Sequence, residues 1–206
     1  GAWDLTRIDY MTFEEAVKGI DGLNNKNEKY CIVLNKDVEI GNAKGDYKFS
    51  TLTLPSKVAS VSIWGNDNSL YFGGNLTLRC NTAFTGVNLV PVKVVNKLPA
   101  PATVNVSVGN NTMTWKWSTV GVVELVENSL EWHWDEHFGF GNVTGSNKSG
   151  TLIIEADSFF KANNITGFNA VVFKGTGNYR YFDEHGNEAT PETGELAFGT
   201  ILTDGN

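Results

Sequence analysis

The chain has 206 residues, 41% hydrophobic and 12% aromatic, which supplies enough apolar surface for one domain with a buried core and excludes a disordered chain. Its formal charge is −7 and its lysines and arginines form no stripe, so a polyanion such as nucleic acid is excluded as a partner. No apolar run approaches the roughly 18 residues of a spanning helix, so no membrane insertion is expected.

In chain order, residues 1–11 read as a lead segment, and the opening Gly1 reads as a residue left by processing, with a signal peptide removed ahead of it. A helix is predicted over 12–23. Thr12 and Glu15 have the spacing at which each side chain satisfies the other's backbone N–H, and Phe13, Ala16, Val17, Ile20 and Leu23 fall on one helical face. Gly22 and the polar run 24–29 end it, and Tyr30 to Leu34 and Val38 to Ile40 follow as strands. From there to about Phe182 short apolar runs alternate with Gly, Asn, Asp and Ser: 52–54, 61–64, 70–72, 76–78, 87–89, 104–108, 113–117, 122–126, 130–134, 151–155 and 171–173. Nearly all alternate apolar with polar, which puts one face in a core and one in water. Residues 183–206 read as a turn-rich tail, with Pro191 to Gly194 a plain turn.

Repeats choose between the architectures that short strands permit. The triplet Leu-Thr-Leu occurs at 52–54 and again at 76–78, about one rung of a stacked fold apart. The stretches 74–90 and 150–173 also share a plan: glycine, an alternating strand, a polar turn, an apolar pair ending in Phe84 or Phe160, then another strand. A parallel β-helix, or solenoid, is therefore expected over 12–182 with the helix as its cap, and a β-sandwich is the alternative. Cys31 and Cys80 lie in strand-like runs without metal spacing; they read as buried thiols, with a disulfide between them also open.

The run 12–40, a helix leading into a strand, and the run 52–89 together resemble the pectate-lyase-like right-handed β-helix domains of bacterial surface proteins. The likeness is carried by Val61, Ile63, Gly65, Asn66 and Leu70, an apolar triplet followed by Gly-Asn-x-x-x-Leu. It implies a right-handed solenoid plugged by its helix, on a protein that is extracellular or at the cell surface. Lyases of this group hold calcium with clustered aspartates and use a basic residue as the base. The chain has no Asp-Asp pair and no Asp-x-Asp, so no catalytic residue, metal ligand or cofactor carries over.

Two tryptophan pairs stand at strand spacing, Trp115 with Trp117 and Trp132 with Trp134. Residues i and i+2 of a strand point the same way, so each pair presents two indoles on one face, either as a platform for sugar rings or as core filling. Beside them His133, Asp135 and His137 would share the opposite face if the strand continued, a donor set competent for a metal or a ligand. Aromatic-Asp-Glu-His before glycine recurs at 182–186, which favours a solvated turn at both places and a metal at neither. Asn-x-Ser/Thr triplets at Asn75, Asn105, Asn142, Asn147 and Asn164, among others, are attributed to the abundance of asparagine, a residue suited to left-handed turns.

The sequence thus predicts a non-catalytic binding or adhesion module without cofactor or metal, its partner a glycan or a host surface. The ligand-binding candidates are Trp115, Trp117, Trp132, Trp134, His133 and Asp135. A carbohydrate-active enzyme and a structural stalk are the competing readings, and nothing in the sequence fixes the oligomeric state.

Overall fold

The computed structural model describes residues 8–135, 137–155, 158–174, 179–182, 187–189 and 199–203. Helix α1 (Phe13–Leu23) begins where the Thr12 hydroxyl accepts a hydrogen bond from the Glu15 N–H at 3.1 Å, and it ends at Asn24, held in the left-handed conformation. Phe13, Ala16, Val17 and Ile20 join the main core. Leu23, expected with them, is exposed, since at helical pitch it falls roughly 70° from the centre of that face. Asp21 ties the helix to the early strands: its carboxylate accepts from the Ser56 N–H at 2.9 Å and lies 3.6 Å from the Arg79 guanidinium, whose Nε donates to the Leu54 carbonyl at 2.9 Å.

After the helix come three sheets of parallel strands, and the chain visits them in rotation. Numbered in chain order, the first sheet holds β1 (Lys29–Val33), β4 (Ser60–Trp64), β7 (Asn81–Thr85), β11 (Thr112–Lys116), β16 (Thr151–Glu155) and β18 (Ala170–Lys174). The second holds β2 (Val38–Glu39), β5 (Ser69–Phe72), β8 (Asn88–Val95) and β12 (Thr119–Val120), and the third β3 (Leu52–Thr53), β6 (Asn75–Thr77), β10 (Val104–Gly109), β15 (Phe140–Gly145) and β17 (Phe160–Thr166). Parallel pairing in three sheets replaces the antiparallel sheets that the sandwich alternative requires. The two Leu-Thr-Leu triplets are neighbours in register, Leu52 beside Leu76 and Thr53 beside Thr77. The longer repeat is out of phase: 74–90 runs third, first, second sheet, whereas 150–173 runs first, third, first.

The inward residues of all three sheets form one core. Within it Trp115 is 0% exposed, its ring 5.8, 5.0 and 6.0 Å from those of Phe84, Phe140 and Phe160. Between the first and second sheets the turns stack, with the Leu34, Gly65 and Gly86 N–H groups donating to the Trp64, Thr85 and Lys116 carbonyls at 2.9, 2.9 and 3.0 Å. Gly65 is demanded by this stacking, because a Cβ there would lie 2.3 Å from the Gly86 carbonyl oxygen and 2.6 Å from Val87 Cα.

On the outer face of the third sheet, Asn75 sits beside Asn105 and Asn142 beside Asn164. The Asn142 N–H donates to Asn105 Oδ1 at 3.1 Å, and Asn164 Nδ2 to Asn142 Oδ1 at 2.8 Å. Two residues along, Thr53, Thr77, Ser107, Thr144 and Thr166 align. Four Asn-x-Ser/Thr triplets are therefore one motif repeated on successive strands, its middle residue (Leu76, Val106, Val143, Ile165) buried in the core. Abundance of asparagine does not account for them.

The second sheet is buried on both faces, as the unbroken burial of β5 shows. Its outer cover comes from two excursions: β9 (Leu98–Pro101) folds back on β8, and β13 (Val122–Val126) pairs antiparallel with β14 (Ser129–His133). Both hairpins turn on two left-handed residues, Asn96-Lys97 and Glu127-Asn128. Beneath them Tyr71, Val90, Val92 and Val123 form a small second core, flanked by Phe49, Leu130 and Trp132. At the far end β19 (Tyr179–Phe182), β20 (Glu188–Ala189) and β21 (Gly199–Thr203) extend the third sheet antiparallel, so the segment read as a turn-rich tail supplies two strands. Cys31 and Cys80 are free thiols; Cys80 is buried, but Cys31, expected inside, faces outward and is exposed. Burial pushes the Cys80 thiol up, which keeps it protonated.

Candidate functional site

Sequence spacing places Trp115 and Trp117 on one face, and the structure separates them. Strand β11 ends at Lys116, and Trp117 enters the turn with φ of 49°, so Trp115 points into the core while Trp117 is 55% exposed. Trp115 is therefore no ligand platform. It is the centre of the aromatic core, with its indole N–H donating to the Phe159 carbonyl at 3.2 Å.

The second pair is parted in the same way. Strand β14 stops at His133, leaving Trp132 half-buried over the second core, where it lies against Gly121, while Trp134 beyond the strand end is 52% exposed. The faces of His133, Asp135 and His137 do not line up, because the alternation they depend on ends with the strand. Asp135 instead closes a turn, its carboxylate accepting from the His137 N–H at 2.8 Å and its carbonyl from the Phe138 N–H at 3.0 Å. Exposed His133 has Nε2 3.6 Å from Glu124 across the hairpin. Among the described residues no group of three or more His, Cys, Asp or Glu comes together to hold a metal. The second aromatic-Asp-Glu-His copy, beyond Phe182, lies outside the described residues, as do Glu136 and Pro191 to Gly194.

One residue of each broken pair is fastened to the short segment that leads into β17. Trp134 packs edge-on against Phe159, ring centroids 5.2 Å apart at 79°. Ser158, the residue before Phe159, takes the Trp117 N–H on its hydroxyl at 2.7 Å and donates to the Trp115 carbonyl at 3.3 Å. The segment leading into β17 thus fastens both sides of a corner whose surface is Trp117, Trp134 and Phe159. Lys116 adds its ammonium 4.4 Å over the Trp117 ring and pairs with Glu155 at 3.1 Å, so the corner carries polar groups without a net charge of its own.

Two of these surface aromatics escape the sequence reading. Phe159 is hidden beside Phe160, although alternation sends one of two adjacent strand-entry aromatics outward. Trp64 is also 52% exposed, and here the signal was present: with Val61 and Ile63 inward, the same alternation sends Ser62 and Trp64 outward. Among the described residues no helix is long and apolar enough to cross a membrane. Comparison with protein-family models, curated proteins and solved structures finds no match for this chain.

Proposed function

We propose that the chain is a non-catalytic binding or adhesion module of a bacterial surface protein, built on a right-handed parallel β-helix and recognising glycan at its aromatic corner. The solenoid reading is supported by the rotation of strands through three parallel sheets, by the helix joined to the core ahead of β1, and by the right-handedness that parallel crossovers adopt almost without exception. The resemblance to pectate-lyase-like surface domains agrees with it and supports an extracellular location.

The observation that carries the binding reading is that two half-exposed tryptophans are held by adjacent residues, Trp117 through its N–H by Ser158 and Trp134 through its ring by Phe159. A soluble surface gains nothing from large aromatics in water, whereas sugar rings stack their C–H faces on such rings and the indole N–H supplies a donor. Trp117 also holds a left-handed backbone conformation that is unfavourable for so bulky a side chain, and strain of this kind collects at ligand sites. A glycan array probed with the native chain and with Trp134→Ala tests the reading. Binding that disappears in the variant, with unchanged melting temperature, supports it; an array on which the native chain binds nothing removes it in favour of a structural stalk.

A further inference from the structure

Trp64 lies on the same edge as the corner, two strands away. The outward row at the end of the first sheet runs Val33, Trp64, Thr85, Lys116, Glu155, each beside the next in parallel register or, for the last step, joined by the Lys116 to Glu155 ion pair. The Trp117 ring is folded against the Lys116 ammonium, which brings it to this row. Strands stack at about 4.8 Å, so Trp64 and Lys116, the residue against which the Trp117 ring lies, stand roughly 10 Å apart along the stack with the small Thr85 between them.

We propose that Trp64 and Trp117 are the two ends of an extended subsite for a neutral, β-1,4-linked polysaccharide running along the stack. The inference rests on the glycan reading of the corner and adds ligand class, direction and a second anchor. In such a chain each pyranose is turned over relative to the last, so alternate rings present the same face at a repeat close to the two-strand spacing between Trp64 and Lys116, and the intervening ring crosses over Thr85. The charge pattern selects the neutral class. Lys116, the cation of the row, is compensated by Glu155, and the chain carries −7 overall, so an anionic polysaccharide finds the row's cation already paired and meets a repulsive field. Two separated platforms, each half-exposed, also suit a long ligand better than a single sugar, because the second contact is made at the high effective concentration that the first one creates.

The test is calorimetric titration with cellohexaose, cellobiose and polygalacturonate against the native chain, Trp64→Ala and Trp134→Ala, with melting temperature as the folding control. The native chain should bind the hexamer at least tenfold more tightly than the dimer and polygalacturonate more weakly than the hexamer. Trp64→Ala should erase the hexamer's advantage and leave dimer affinity and melting temperature in place. If Trp64→Ala leaves hexamer affinity unchanged while Trp134→Ala abolishes it, the extended subsite is wrong and the corner stands. If the native chain prefers polygalacturonate, or binds another glycan but neither cello-oligosaccharide, the ligand class is wrong; if it binds no glycan of any kind, the reading of the corner falls with it.

Discussion

The indole N–H of Trp115 donates to the carbonyl oxygen of Phe159 at 3.2 Å, so the largest side chain of the core also holds the backbone that presents an aromatic ring to the surface. Trp115 and Phe159 therefore join the core to the aromatic corner. Trp115→Ala should destabilise the domain by about 3–5 kcal/mol through the cavity it leaves among Phe84, Phe140 and Phe160, and should loosen Phe159 with it. Trp134→Ala, on the exposed side of the same segment, should cost less than about 1 kcal/mol. Denaturant unfolding of the two variants checks this, and equal losses would show that the core and the corner have been wrongly divided.

At Trp117 the backbone favours glycine. One strand back the turn residue after Thr85 is Gly86, with φ of 63°, and Trp117 takes φ of 49° in the equivalent turn after Lys116. A side chain in that region costs roughly 1–2 kcal/mol, and the Lys116 ammonium over the ring recovers about 0.5 kcal/mol at an exposed site. Trp117→Gly should be at least as stable as the native chain and more stable than Trp117→Ala, while glycan binding is lost in both. A glycine variant that melts below the alanine variant would disprove the strain.

Gly65→Ala should be among the most damaging small substitutions in the chain. The added methyl meets backbone, the Gly86 carbonyl oxygen and Val87 Cα, so no side chain can rotate to make room. A loss of about 1–3 kcal/mol or more is expected from forced backbone shifts, whereas Gly22→Ala, inside helix α1 with nothing within 4 Å, should stabilise by about 0.5–1 kcal/mol. Thermal unfolding of the two variants side by side checks the contrast.

Tyr71 gives a pH dependence with a definite sign. Burial beneath the hairpins, reinforced by the Asp37 carboxylate, pushes its phenol up from 10.0 to about 12. The unfolded chain therefore ionises first as pH rises, so the native state loses stability between about pH 10 and pH 12 and keeps it in full below. Tyr71→Phe should match the native chain at pH 8, since the hydroxyl reaches the Leu130 carbonyl only at 3.4 Å, and should melt higher than the native chain at pH 11.5. Identical melting curves for both proteins across that range would place the phenol in water.

Period-two alternation made most of the parallel strands legible, because a residue's side of a strand is a local property. The register Leu52 to Leu76 was legible too, since no insertion separates those rungs. The asparagine ladder was not, because the hairpins formed with β9 and β14 stretch the interval from Asn75 to Asn105 and then from Asn105 to Asn142 and hide a constant three-residue motif behind unequal spacing. The tryptophan pairs misled for a different reason. The spacing i, i+2 means a shared face only while the strand lasts, and both strands stop between the paired residues; a left-handed tryptophan carries no mark that sequence reasoning recognises. Burial of β5 on both faces depended on hairpins that arrive from residues more than twenty positions away, which local alternation cannot report.

In all three sheets the hydrogen bonds between rungs point along the line from β1 towards β18, and that geometry decides how the domain bears load. A pull between the first and last rungs stretches those bonds end-on instead of shearing a whole strand at once, so they fail one layer at a time. Peeling the layer between Leu52 and Leu76 releases 24 residues, roughly 80 Å of chain. Under traction the domain would lengthen in discrete steps from its ends, each step giving way before the next layer is loaded.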